Sequence, residues 1–369
     1  MEAPPVRMPE APAGNSNQSL NQPSTCCSRW TGPWFPPKTL AFPDHFPLQV
    51  LRRQIARRLQ ARGLEVGPEE VLVTNGASEG LSLALRLLLE PGELVALPCP
   101  SFFGVLDAAR SAGARVLEFP EGPGGPGLEP FLAACGRHPV KATVLMPSFS
   151  NPTGILMAPG DQTAWMEALR DRGVALVEDD IYGELAFDGK RPRPMMALAE
   201  PDGPPCFLAG SFSKSLLLGG RVGYIVARAP WIERLTRLKG SSTLGNATLS
   251  EHLAAACLES GLHDRHLRRF VPALFQGIEA LRQEVARHFP AGTRVSRPQG
   301  GFLLWIELPE GCDALRLFHA AREARISLAP GCIFSLGPGL ERYLRLNGGA
   351  TLRNPGSIAT LGRLAAAQL

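Results

Sequence analysis

Residues 211–224 read SFSKSLLLGGRVGY, with Lys214 between two serines, Leu216, Leu217 and Leu218 after it, and Arg221 near the end. An ammonium that loses water in an apolar turn beside a second cation is driven toward its neutral form. A neutral lysine amine is a nucleophile able to form a Schiff base with a carbonyl compound. Ser211, Ser213 and Arg221 add two hydroxyls and a guanidinium, a donor set that suits one phosphate. Taken alone, the stretch reads more plainly as a surface turn with solvated Lys and Arg.

Four other stretches carry residues of matching chemistry. In VEDDIY (177–182) an apolar run ends in three carboxylates, whose mutual repulsion costs stability unless a cation is near. Adjacent aspartates on an extended chain face opposite ways and no histidine is close in sequence. A single inward Asp179 therefore suits a protonated ring nitrogen of a ligand at least as well as a metal. TNGASEG (74–80) follows a strand and opens a helix, so the N–H groups of Gly76, Ala77 and Ser78 would face an anion; an ordinary Asn-Gly turn with Ser78 as N-cap is the plainer reading. PSFFG (100–104) offers Phe102 either as core or as a ring to stack on. SNPTG (150–154) is a Pro-containing turn in which the Asn151 amide could donate to a ligand oxygen.

The elements that must position these residues follow from periodicity. Leu51, Ile55 and Leu59 recur at helical spacing between Pro47 and Gly63, which opens the folded body. Runs at 71–75, 93–98, 114–119, 142–147 and 174–180 read as strands, with helices expected over 78–89 and 103–112 between them. Alternating βα units build a mostly parallel sheet covered on both faces, and the chemistry-bearing stretches fall at the carboxyl ends of its strands. Helical pattern over 246–288 and near 312–324, with strands in RVSRPQGGFLLWIEL, ISLAPG and RYLRLN, describes a smaller α+β part. Pro272 should break or kink the long helix, and PEGPGGPGLEP (120–130) reads as a surface connection. The expected division is a low-complexity arm over 1–45, a large domain over 46–240 and a small C-terminal domain over 241–369.

The 369 residues carry a formal net charge of +4 without a basic block, which favours a small-molecule ligand over nucleic acid or a membrane surface. Eight scattered cysteines show neither a disulfide framework nor zinc-ligand spacing, so reduced thiols and no metal are expected. No apolar run has the length of a membrane span and the first residues lack a signal-peptide pattern; a cytoplasmic protein is the expectation.

Together these motifs, in this order, resemble the fold-type I pyridoxal-phosphate aminotransferases of class I/II. EDDIYGELAFDG, GSFSKSLLLGGRVGY, HDRHLRR and RPQGGFLLWIELP are most similar to the subgroup of 2-aminoadipate and kynurenine aminotransferases and the aminotransferase-like domain of MocR-type regulators. The resemblance runs from about Pro47 to the end of the chain and implies an α/β fold whose large domain has a mostly parallel sheet of the seven-stranded type between helices, with a smaller α+β C-terminal domain. It implies pyridoxal 5'-phosphate as cofactor, bonded by Lys214, which also moves a proton at the substrate. It implies further that Asp179 keeps the pyridine nitrogen protonated, that Asn151 and Tyr182 bind the ring's phenolic oxygen, and that Phe102 stacks on the ring. Gly76, Ala77, Ser78, Ser211, Ser213 and Arg221 would form the phosphate site, and Arg345 would clamp the substrate α-carboxylate beside Asn151. Departures from the pattern are Phe42 in place of a tyrosine, Pro47 in place of a glycine, Leu218 in place of a proline and Gly348 in place of an aromatic residue.

The function these readings imply is amino-group transfer from an L-amino acid, aromatic or 2-aminoadipate-like, to a 2-oxo acid, in a homodimer. The rivals are an amino-acid-sensing domain without turnover, as in MocR-type regulators, and lyase or decarboxylase chemistry on the same scaffold. Arg29, Arg7 and Lys38 are the basic residues of 1–45, which shows no helix–turn–helix pattern, so direct DNA recognition is not expected.

Overall fold

The computed structural model describes residues 46–216, 219–351 and 356–369. Helix α1 (Phe46–Gln60) leads through a turn, with Gly63 at φ +82°, into β1 (Val71–Thr74) and α2 (Ala77–Leu88). Next come β2 (Leu94–Cys99), α3 (Phe103–Ser111), β3 (Arg115–Gly122), β4 (Gly125–Pro126), α4 (Leu128–Arg137) and β5 (Val140–Leu145). Then follow α5 (Pro159–Arg172), β6 (Ala175–Asp179), β7 (Cys206–Ser211), β8 (Gly223–Ala227) and α6 (Trp231–Ser242). These eight strands form one sheet in the order β1-β8-β7-β6-β5-β2-β3-β4. Strands β3, β2, β5, β6 and β7 are parallel; β8 runs antiparallel to both β7 and β1, and β4 is an antiparallel stub on β3.

Strands buried on both faces must be apolar at successive positions. Val95, Leu97, Val144 and Val177 pack with α2, α3 and α6, while Ala96, Leu145 and Leu176 pack on the other face with Phe131 of α4 and Trp165 of α5. On that second face α1 lays Leu51, Ile55 and Leu59 over β1, β7 and β8, beside Ala254 and Leu258 of α7 (Thr248–Glu259).

After α7, Gly261 at φ +68° separates it from α8 (Leu262–His288), so the helical stretch expected over 246–288 is two helices. Pro272 lies inside α8, which runs through it unbroken. An interior proline costs about 3 kcal/mol. Leu267, Val271, Leu274, Ile278, Leu281 and Val285 are buried along the same helix, each contributing roughly 1.5–3 kcal/mol, so burial outweighs the break. A second, four-stranded antiparallel sheet follows, ordered β11-β12-β10-β9. Its strands β9 (Arg294–Val295), β10 (Leu303–Glu307), β11 (Ala329–Pro330) and β12 (Tyr343–Asn347) pack with α8, α9 (Ala314–Glu323) and α11 (Gly356–Ala366); α10 (Gly348–Thr351) joins β12 to the segment before α11.

A further expectation is corrected. The Gly- and Pro-rich segment 120–130 is not a mere surface connection: β3 extends to Gly122, turns into β4, and α4 begins at Leu128. Residues poor in strand propensity pair here because they sit at the sheet's edge, where a proline removes no needed bond. The arm 1–45, with Phe42, lies outside the described residues, as do Leu217, Leu218 and the side chain of Pro47.

The turn after α1 is joined to the sheet's carboxyl end by a buried pair, in which Arg62 donates to both Asp180 oxygens, Nη2 to Oδ1 at 2.9 Å. Removing one member leaves a buried charge uncompensated. Arg62→Met should therefore lower the unfolding free energy by about 3–5 kcal/mol, read from denaturant titration; a loss below about 1 kcal/mol would show that Asp180 does not depend on it.

Candidate active site

The turn from β1 into α2 is built on Gly76, at φ +84°, where a side chain would be strained; an added Cβ would lie 2.6 Å from Arg221 Nη2. Across from it Gly223, the first residue of β8, sits so close that its own Cβ would meet the Gly76 carbonyl carbon at 2.5 Å. Arg221, itself at φ +49°, donates from Nη2 to Asn75 O at 3.0 Å and so lies over the turn. The N-cap of α2 is Gly76 without a side-chain cap bond, which corrects the reading of Ser78 as the cap. The amides of the first turn are thus available to an anion, with the helix dipole behind them. Ser211 and Ser213 join them from the end of β7: the Ser213 N–H donates to Ser211 Oγ at 3.1 Å, and Ser211 Oγ donates to Val222 O at 3.1 Å.

A clasp not foreseen from sequence fixes this cup. Glu79 Oε2 accepts from the Asn75 N–H at 2.6 Å and from Lys239 Nζ at 2.8 Å, and Thr243 also donates to Glu79. Burial works to raise the Glu79 carboxyl, but the hydrogen bonds from Lys239, Thr243 and Asn75 outweigh it and hold the group below its usual range. Lys239 is buried on α6. Its separation from Glu79 by 160 positions left no local signal.

The three carboxylates at the end of β6 alternate as an extended chain requires. Glu178 accepts from the Met195 and Met196 N–H groups at 3.0 and 2.9 Å, and Asp180 takes Arg62. Asp179 faces the other way. Its Oδ1 accepts a long bond from the Ile181 N–H at 3.3 Å, and Oδ2 is buried without a partner among the described residues. Burial pushes this carboxyl up to about 7, against the Ile181 bond and with a further push from Asp180. Phe102 and Asn151 line the same narrow space.

Lys214 is half-buried, its Nζ 5.8 Å from the centroid of the Phe302 ring. Burial, then the charges of Arg345 and Arg221, draw its ammonium below the ordinary lysine range. Of the expected wall of leucines, Leu216 is among the described residues, and the Phe302 ring lies beside the Lys214 amine. Arg345, on β12, donates from Nη1 to Asn151 Oδ1 at 2.8 Å and lies 5.2 Å from the Phe334 ring centroid. Tyr182 is buried, meets Phe302 edge to face at 5.3 Å, and has its hydroxyl pushed up by burial. A cleft of about 620 Å³ opens beside Lys214, walled by His266, Phe270, Leu274, Phe302 and Asn347.

Residues 37–355 match the model of the family "Aminotransferase class I and II". The chain belongs to this family. It is 35% identical over 309 residues to the 2-aminoadipate transaminase of Thermus thermophilus, covering 84% of this chain and 77% of that protein. A crystal structure of the α-aminoadipate aminotransferase LysN from the same organism, complexed with N-(5'-phosphopyridoxyl)-L-leucine, superposes with a TM-score of 0.81 at 32% identity, covering 87% and 82% of the two chains. The chain is also 34% identical over 298 residues to the HTH-type transcriptional regulator YdcR of Escherichia coli. That match covers 80% of this chain and spans 63% of the regulator's length.

Pyridoxal 5'-phosphate is the cofactor this family membership brings, and the residues fit it. The orphaned Asp179 Oδ2 lacks the donor that a protonated pyridine nitrogen provides, and the uncapped first turn of α2, beneath Arg221, suits a phosphate. The departure at Gly348 has a steric cause: a Cβ there would lie 2.6 Å from Ile278 Cδ1 of α8.

The clasp makes a prediction about cofactor affinity. Lys239→Met should leave the fold intact by circular dichroism and weaken pyridoxal 5'-phosphate binding about tenfold, a loss of ~1.4 kcal/mol. Unchanged affinity in an absorbance titration would separate Glu79 and Lys239 from the cup.

Proposed function

We propose that this chain is an aminotransferase that moves the amino group of an L-amino acid to a 2-oxo acid. The observation that carries the reading is the juxtaposition of a lysine amine drawn toward neutrality with Arg345–Asn151 and Arg221, together with the unpartnered Asp179. Bound there, pyridoxal 5'-phosphate supplies an electron sink that stabilises negative charge at the substrate Cα. Burial makes a lone Asp179 carboxylate costly, and a protonated ring nitrogen beside it would compensate that charge, so an ionised Asp179 would keep the proton on the nitrogen. Lys214 holds the cofactor and carries the proton at the substrate Cα, since an amine drawn below the ordinary lysine range gives up its proton more readily and can take it back. Gly76, Ala77, Ser78, Ser211, Ser213 and Arg221 bind the phosphate. Phe102 covers the ring, and Asn151 and Tyr182 donate to its phenolic oxygen. Arg345 takes the α-carboxylate in a bidentate pair, which retains that group and so favours transamination over decarboxylation.

The aromatic and aliphatic wall of Phe270, Phe302 and Leu274 supports an aromatic donor, and the likeness to a 2-aminoadipate transaminase supports an acidic one. We assign residues 46–240 to a large domain and 241–369 to a small one, with the cleft beside Lys214 between them. The family's habit supports a homodimer. Among the described residues no helix is long and apolar enough to cross a membrane, and a cytoplasmic site of action is proposed with this.

Lys214→Ala should abolish transamination while leaving the folded protein able to bind the phosphate; full turnover in that variant would sink the mechanism. A second outcome concerns charge. Arg345 holds the Lys214 amine down, so Arg345→Gln should move the pH midpoint for cofactor capture by the apo-protein upward. A wild type that binds the cofactor yet converts no donor in a panel of amino acids would favour the sensing role over the enzyme.

A further inference from the structure

Asn151 carries its carboxamide on a turn in which its own backbone N–H is weakly anchored. Its N–H donates to Met146 Sδ at 3.0 Å, a weak acceptor. The turn around it is closed by Gly154 N–H to Ser150 O at 2.6 Å and Ser150 N–H to Ile155 O at 2.8 Å. What grips the turn from outside is Glu121, at the end of β3, inside the Gly- and Pro-rich hairpin. Its Oε1 accepts from Ser150 Oγ at 3.2 Å and from Thr153 Oγ1 at 3.0 Å, the residues on either side of the Asn151–Pro152 pair. The two hydroxyls also lie within hydrogen-bonding reach of each other, so their one proton apiece is shared among themselves and Glu121, which lines the same narrow cavity as Asp179, Phe102 and Asn151.

We propose that Glu121 is a positioning residue for the Asn151 carboxamide. By clamping both hydroxyls it holds the turn so that Asn151 Oδ1 receives Arg345 Nη1, which leaves Nδ2, at the other end of the same planar group, for the cofactor's ring oxygen. The proposal rests on the cofactor reading given above. A carboxyl put here for stability alone is poorly placed. The groups facing Glu121 are the two hydroxyls, the Cys99 thiol on β2 and Asp179 across the cavity, with Glu118 on its own strand, and none of these is a cation. Burial pushes Glu121 up to about 7 against the two hydroxyl bonds. A raised carboxyl binds its proton more tightly in the folded state than in the unfolded chain. Its favourable contribution is therefore complete below the unfolded value and lost as pH rises through about 7.

The test follows the visible absorption band of the protein loaded with pyridoxal 5'-phosphate as pH is varied, in wild type, Glu121→Ala, Glu121→Gln, Asn151→Ala and the Glu121→Ala/Asn151→Ala double variant. Removing a donor to the ring oxygen raises the band's midpoint, so Asn151→Ala and Glu121→Ala should each raise it, by roughly one pH unit and roughly half a unit. The double variant should match Asn151→Ala alone, because the clamp acts only through that side chain. Glu121→Gln keeps an acceptor for both hydroxyls: its midpoint should stay near wild type, while its melting temperature rises above pH 7 and not near pH 5. Additive shifts, an unmoved Glu121→Ala midpoint beside a shifted Asn151→Ala, or a Glu121→Gln shift as large as that of Glu121→Ala would overturn the proposal, the last by showing a charge acting through space. Should Glu121→Ala not fold, Ser150→Ala/Thr153→Val removes the same two bonds from the other side and must give the same rise. A wild type without the band removes the cofactor reading and this proposal with it, whereas a normal wild-type band with any of the contrary results removes the proposal alone.

Discussion

An extended strand sends successive side chains to opposite faces, and at the end of β6 this alternation decides what three adjacent carboxylates can do. Glu178 and Asp180 turn to one side, where the Met195 and Met196 amides and Arg62 receive them. Asp179 turns to the other and meets Phe102 and Asn151, with one oxygen left unpartnered. A buried acceptor without a donor costs about 1–3 kcal/mol. The expense is confined to one residue because the fold separates it from its neighbours, and around it stand an aromatic ring and an amide, the parts a protonated heterocycle needs.

The positive charges make the complementary argument. Arg345 and Arg221 both act on Lys214, so the amine lies within electrostatic reach of each. Arg221 stands over the first turn of α2, and Arg345 belongs to the second sheet beside Asn151. Cations crowded in this way repel one another, and a ligand with two anionic ends relieves both repulsions: a phosphate at the helix N-terminus and a carboxylate at the other arginine. The arrangement thus specifies a charge pattern in its ligand before any side-chain pocket is considered.

Five of the eight strands of the large sheet, and the residues at strand ends, were legible in the sequence because their signals are local; β4, β7 and β8 were not read as strands. Apolar runs of strand length, the carboxylate triplet and SFSK each lie within a few residues. Arg345 was not legible in this way; in isolation it is one arginine on a strand, and only resemblance to a family singled it out. Glu79, Lys239 and Glu121 escaped both routes. Glu79 sits in an ordinary first turn, its partner Lys239 lies on another helix, and Glu121 was hidden in a Pro- and Gly-rich segment whose composition signals a loop. Their roles arise from contacts across the fold, which periodicity does not encode. Pro272 misled for the related reason that propensity is a local penalty, whereas the burial that overrides it along α8 is tertiary.

Arg345 also shows how the two sheets are prepared to act together. A guanidinium offers five N–H donors in a fixed plane. Among the described residues one of them, on Nη1, reaches Asn151, and the Phe334 ring lies within 5.2 Å of the guanidinium carbon. The ring and the amide fix the plane while most donors stay uncommitted, so a carboxylate arriving in that plane can take two of them without displacing Asn151. Its binding would then add to the contact between β12 and the turn after β5 rather than compete with it. A substrate carboxylate would reinforce the orientation of the same amide that Glu121 is proposed to steady, so that the two anchors of Asn151 would lie on different sheets and its Nδ2 end would stay free for a ligand.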